Sequence, residues 1–219
     1  MRKLLIVQKG AKVIVLPEFT TTLAPNSADG FLKFAEEIRD LTRIYDQNLP
    51  KITEITTGGC IFVKSIVRPS YDYEEHRDLT PGVDLRIFDT PMCKIGLGLC
   101  CDIRYQLEVQ IYCQIGCKLL LYPGAFNTVI GRAQLAVMQR ARAIDDQVYL
   151  VTASPARDCN HSYNCWGCSS IIDSWGRIVA QAGENDKVIF ANIDLDYVDE
   201  KRTDLYRVRN IGAEGKRCS

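Results

Sequence analysis

An α/β fold is what this 219-residue sequence predicts, and three observations predict it. From Val83 onward, short apolar runs bounded by turn residues alternate with stretches of helical periodicity. Such strand–helix–strand alternation specifies a sheet with parallel neighbours. The late run SSIIDSWGRIVAQAG (169–183) reads as a hairpin turning at DSWGR, which makes the sheet mixed. No repeat, low-complexity segment or linker interrupts the pattern, so a single domain over 1–219 is the simplest organisation.

The elements follow in order. AKVIVLP (11–17) reads as a buried strand with a proline stop. From Ala28 to Tyr45 apolar residues recur at helical spacing, opposite Glu36, Arg39, Asp40 and Arg43. CIFVKSIV (60–67) reads as a strand, and the polar, aromatic RPSYDYEEHRDLTPG (68–82) as a loop. VDLRIFDT (83–90) and KIGLGLC (94–100) are strands, and IRYQLEVQIYCQIG (103–116) is a helix stopped by Gly116. CKLLLYP (117–123) is a strand, RAQLAVMQRARAID (132–145) a helix, and QVYLVTAS (147–154) a strand. After the hairpin, KVIFANID (187–194) reads as a final strand.

Composition narrows the function classes. Hydrophobic residues make up 47% and charged residues 25%, and 27 basic residues balance 27 acidic ones. A net charge of zero gives no electrostatic footprint for nucleic acid or an anionic membrane. No apolar run approaches the roughly 18 residues of a membrane span, and Leu4–Val7 is too short for a signal-peptide core. The expected compartment is cytoplasmic, with the mitochondrion as the alternative. In such a compartment the ten cysteines default to free thiols. A zinc site could be drawn from Cys159, His161, Cys165 and Cys168, but its spacing is irregular, and no metal is expected.

Candidate chemistry sits at strand ends. In GLGLCCDIR (96–104) an apolar strand runs into Cys100 and Cys101, and a helix follows within a few residues. A strand–turn–helix corner lifts a side chain out of the sheet and aims backbone N–H groups at it. Taken alone, the pair reads as two buried cysteines closing a core strand. LPEF (16–19) puts Glu18 just past a buried strand, and YPGAFN (122–127) ends another strand in a Pro-Gly loop. If those strands are parallel neighbours, all three features meet at one sheet edge. His76 and His161 lie in polar loops, so a glutamate is the better candidate base for a thiol, and a lysine would then help hold an oxyanion.

LPE, GLGLCCDIRY, YPGAFN, QRARAIDDQVYLVTASPARD (139–158) and DSWGRIVAQAG (173–183), taken in order, resemble the nitrilase, or carbon–nitrogen hydrolase, superfamily, and its omega-amidase branch in particular. The resemblance covers most of 10–195, dense over 90–183 and sparse from Pro25 to Tyr73. It implies a four-layer α-β-β-α sandwich that pairs into homodimers. It implies Cys100 as nucleophile, Glu18 as general base and the backbone N–H of Cys101 as oxyanion donor. Lys64 in FVKSIV is the candidate oxyanion lysine, with a surface lysine on an edge strand as the other reading, and Glu75 in YEEHRDLTPG is the candidate supporting carboxylate. Arg104 and Arg157 are candidate clamps for an anionic substrate, or structural ion-pair partners.

The implied reaction is hydrolysis of a small-molecule amide by water through a Cys thioester, without a cofactor. The implied substrates are dicarboxylate monoamides of the 2-oxoglutaramate and 2-oxosuccinamate type. Departures from the family pattern are also visible. Cys101 stands where a tyrosine is usual, Leu107-Glu108 where Glu-Leu is usual, and Gln134-Leu135-Ala136 where His-Trp-Glu is usual. The first strand is expected to be missing, residues 1–72 shortened and the arm over 195–219 abbreviated. These departures motivate the alternative of an impaired or truncated relative that serves as a binding or oligomerisation module.

Overall fold

A computed structural model describes residues 11–18, 84–161 and 163–204. The 28–45 helix, the 60–67 strand, Lys64 and Glu75 lie outside the described residues.

Among the described residues, six strands form one mixed sheet in sequence order: β1 (Arg86–Asp89), β2 (Lys94–Leu97), β3 (Cys117–Pro123), β4 (Tyr149–Ala153), β5 (Ser170–Ile172) and β6 (Ile178–Gln181). The pairs β2–β3 and β3–β4 are parallel, while β1–β2, β4–β5 and β5–β6 are antiparallel. The central strands therefore end at the same edge. The expected α/β class and mixed sheet are what the chain forms.

Two-residue alternation assigns each strand residue to a face. Leu120, Tyr122, Leu150 and Ile172 join one apolar cluster with Ile103, Val109, Tyr112, Leu135 and Ala143. Those partners come from helices α1 (Gln106–Ile115) and α3 (Ala136–Asp146) and from the turn and π-helical segments that precede them. Leu119, Leu121, Tyr149 and Ile171 face the other way and join Ile95, Leu97 and Val198. Val198 belongs to α4 (Leu195–Asp204), whose Arg202 donates to the carbonyls of Cys117 (2.7 Å) and Gln147 (3.2 Å).

Two predicted strands are corrected. Residues 11–17 and 187–194 form no ladder with the sheet. Val13, Val15, Ile189, Ala191 and Ile193 instead pack in irregular backbone against the second face. Their alternating pattern is real, but it turns side chains toward an apolar surface without pairing the main chain. The described residues contain one sheet layer, so the second layer of the expected sandwich is not among them.

The helices keep their predicted places with different starts. Cys100–Arg104 form a 3₁₀ turn, and α1 begins only at Gln106. Gly116 ends it in the left-handed conformation at φ 101°, where its missing Cβ matters. The next helical run begins at α2 (Thr128–Ile130), four residues before the expected Arg132. Asn127 accepts from the Ile130 N–H at 2.8 Å and caps it. A π-helical turn over Gly131–Leu135 then leads into α3. A Cβ on Gly131 would lie 2.4 Å from the Trp166 ring, so glycine permits this close approach.

Candidate active site at the carboxyl edge of the central strands

The corner after β2 is built by backbone geometry. Cys100 has φ 49°, a left-handed conformation that costs a non-glycine residue free energy. Asp102, fully buried, returns its carboxylate to the Leu99 N–H at 2.9 Å, while its own N–H donates to the Leu99 carbonyl at 3.0 Å. From α3, Arg142 donates to the carbonyls of Ile103 and Arg104, each at 3.0 Å. These bonds at both ends of the turn hold Cys100 in its strained conformation.

Cys100 is buried, with 6% of its surface exposed. Cys101 is half-buried against the same apolar cluster. The two do not lie on an extended strand. In a 3₁₀ turn neighbouring side chains diverge by about 120°, not 180°.

The loop after β3 closes over this corner. Gly124 donates to the Ala153 carbonyl at 2.9 Å, and a Cβ on it would lie 2.9 Å from the Cys100 Cα. The next residue, Ala125, donates its N–H to Glu18 Oε2 at 3.0 Å. The Gly124–Ala125 pair thus touches Cys100 on one side and Glu18 on the other. The parallel pairing of β2, β3 and β4 produces this meeting, because it sends the loops after Leu97, Pro123 and Ala153 to one edge.

The loop after β4 completes the wall. Tyr163 donates its hydroxyl to the Ala125 carbonyl. Burial pushes its phenol well up, and the nearby Cys100, Cys165, Glu18 and Cys101 add smaller raising contributions. Cys165 bridges to Asn127, and burial followed by the Glu18 charge pushes its thiol up to about 11. Both effects keep it a neutral thiol.

The two candidate clamp arginines have partners within the chain. Arg157 donates to the carbonyls of Cys165 (3.2 Å) and Trp166 (3.1 Å) and pairs with Glu184 at 2.6 Å. That arrangement matches the structural ion-pair reading. Arg104 donates to the Gln134 side chain near the surface. Among the described residues no group of three metal-ligating side chains comes together. Cys159 is exposed, and His161 Nδ1 accepts the Tyr163 N–H at 3.1 Å.

The Leu107-Glu108 order also has a structural consequence. Leu107 is 67% exposed and Glu108 is 7% exposed. The carboxylate points inward, where its Oε1 lies 2.8 Å from the place a Cβ on Gly98 would occupy.

Comparison with known proteins decides the family. Residues 61–203 match the carbon–nitrogen hydrolase family model. The chain belongs to the carbon–nitrogen hydrolase family. It is an α/β hydrolytic enzyme of the nitrilase superfamily. It is 37% identical over 243 aligned positions to the omega-amidase NIT2 of Danio rerio, covering 93% of this chain and 87% of that one. The omega-amidase NIT2 of Xenopus tropicalis is 47% identical over 241 positions, with 92% and 87% covered. The crystal structure of Saccharomyces cerevisiae Nit3, of the nitrilase superfamily, superposes with a TM-score of 0.59 at 36% identity. That superposition covers 63% of this chain, which spans about half (51%) of the yeast chain's length.

Sequence reasoning missed four residues that shape this candidate site: Gly124, Asp102, Arg142 and Tyr163. Gly124 and Asp102 stood inside motifs already singled out. Arg142 and Tyr163 gave no local signal, since their importance comes from which loop carbonyls they reach.

Proposed function

We propose that this carbon–nitrogen hydrolase is a thiol-dependent amidase with Cys100 as nucleophile and Glu18 as general base. The observation that carries the reading is the Gly124–Ala125 pair, in contact with Cys100 and bonded to the Glu18 carboxylate. Glu18 takes the thiol proton, and the thiolate adds to the amide carbon. The resulting oxyanion is held by the Cys101 N–H and by Lys64, with Glu75 as supporting carboxylate. The C–N bond then breaks, the proton returns from Glu18 to nitrogen, and ammonia leaves a thioester on Cys100. Water, giving its proton to Glu18, attacks that thioester and releases the carboxylic acid and the thiol.

The substrate class is dicarboxylate monoamides of the 2-oxoglutaramate and 2-oxosuccinamate type. Support comes from relatives named omega-amidase at 37% and 47% identity. Arg104 is the better clamp candidate, since Arg157 is engaged by two carbonyls and a carboxylate. A homodimer belongs to the same reading, and sedimentation should give twice the 24.7 kDa chain mass. The test is ammonia release from 2-oxoglutaramate. Cys100→Ala should abolish it, and equal release from both proteins would remove Cys100 from the mechanism.

A further inference from the structure

We propose that Tyr163 is a positioning residue for the Glu18 carboxylate and acts through Ala125. The proposal rests on the reading of Glu18 as general base. Ala125 has two polar backbone groups, and each carries one of the partners. Its N–H donates to Glu18 Oε2 at 3.0 Å, and its carbonyl accepts the Tyr163 hydroxyl. A shift of the Ala125 backbone therefore moves the donor that orients the carboxylate.

The surrounding loops have little freedom to absorb such a shift elsewhere. Trp166 N–H donates to the Phe126 carbonyl at 2.7 Å, and Thr128 N–H to the Asn164 carbonyl at 3.2 Å. Asn127 and Cys165 form a bridge between those two bonds. Arg157 fixes the carbonyls of Cys165 and Trp166 from outside, anchored by Glu184. Segment 163–166 is thus sewn to segment 125–128, and the Tyr163 hydroxyl is the stitch nearest the reacting groups. Burial, aided by the Glu18 carboxylate, keeps that phenol protonated, so it is a donor across the neutral range.

Tyr163 is not assigned a contact with substrate. Its hydroxyl is committed to Ala125, so its effect should fall on turnover more than on binding. Removing it leaves the Ala125 carbonyl without that donor and loosens the geometry on which proton transfer depends.

The test uses the full chain with Tyr163→Phe, which keeps the ring and removes the oxygen. Ammonia release from 2-oxoglutaramate is followed across about pH 5 to 9, alongside thermal melts. We expect kcat to fall about tenfold, KM to stay within about twofold, and the acid limb of kcat/KM to move. A second readout separates positioning from general loosening. The rate of Cys100 alkylation at pH 7 is measured for Tyr163→Phe, Glu18→Gln and the double variant. A loss caused by Tyr163→Phe that disappears in the Glu18→Gln background supports action through Glu18. The same loss in both backgrounds overturns it. An unchanged kcat and pH profile in Tyr163→Phe, with Cys100→Ala and Glu18→Gln inactive, overturns the positioning role alone. Wild-type turnover in Glu18→Gln overturns the assignment of the base and the proposal with it.

Discussion

Gly124→Ala should separate the nucleophile's position from the protein's stability. Gly124 is not among the glycines with positive φ, so alanine can adopt its backbone conformation. The penalty is purely steric. The new methyl would lie 2.9 Å from the Cys100 Cα, 2.9 Å from the Phe126 ring and 3.3 Å from the Cys100 Cβ. Carbon atoms in contact rest about 3.5–4.0 Å apart, so one partner must retreat by about 0.6–1 Å. The Phe126 ring can tilt, but the Cys100 Cα is main chain and moves only with its turn.

Overpacking of this kind costs about 1–3 kcal/mol. Loss of glycine freedom in the unfolded chain returns about 0.4–1 kcal/mol. A net cost of about 1–2 kcal/mol, at about 2–4 °C per kcal/mol, lowers Tm by about 2–8 °C. Turnover should suffer more, because a misplacement of about 1 Å costs about a hundredfold, or about 2.7 kcal/mol in barrier. The assay pairs ammonia release with a thermal melt. Wild-type kcat in a protein whose melting point has fallen would refute the claim that this contact sets the position of Cys100.

Other perturbations probe the framework. Exchanging Leu107 and Glu108 (Leu107→Glu with Glu108→Leu) turns the carboxylate outward and the leucine inward. It should lower stability by about 1–3 kcal/mol in urea melts, because the groups that meet the buried carboxylate lose it, and an unchanged midpoint would contradict the assigned orientation. Thr152→Val removes the buried donor to Gln139 Oε1 (2.9 Å) and should cost about 1–3 kcal/mol by the same assay. Burial pushes the Cys117 and Cys165 thiols up to about 11, leaving about one thiolate in a thousand at pH 8. Iodoacetamide with peptide mapping should therefore mark exposed Cys159 well before either of them.

The sequence pattern resolved what local physics dictates. Gly116 stops α1, the DSWGR turn joins β5 to β6, and β3 reads as a buried run because both of its faces are covered. The 11–17 and 187–194 segments misled because apolar alternation tells which side chains seek a surface. It does not tell whether the main chain finds a partner strand. The cap at Asn127 was present in YPGAFN, but the π turn after it moved the helix start beyond what a 3.6-residue period reveals.

The site divides along the same line. Cys100 and Glu18 were legible as candidates because each follows an apolar run at a turn. The order of β2, β3 and β4 then decided that their loops meet. Tyr163 and Arg142 were not legible, because each works by reaching a carbonyl 38 or 39 positions away. No local pattern encodes such a contact.

The central claim is covalent catalysis at Cys100, and rapid-quench mass spectrometry tests it most directly. Protein mixed with 2-oxoglutaramate and quenched in acid should carry an acyl adduct on the peptide spanning Cys100 and Cys101. Fragmentation should place that adduct on Cys100, and Cys100→Ala should show neither adduct nor ammonia. Steady ammonia release with no adduct on Cys100, retained in Cys100→Ala, would contradict the account.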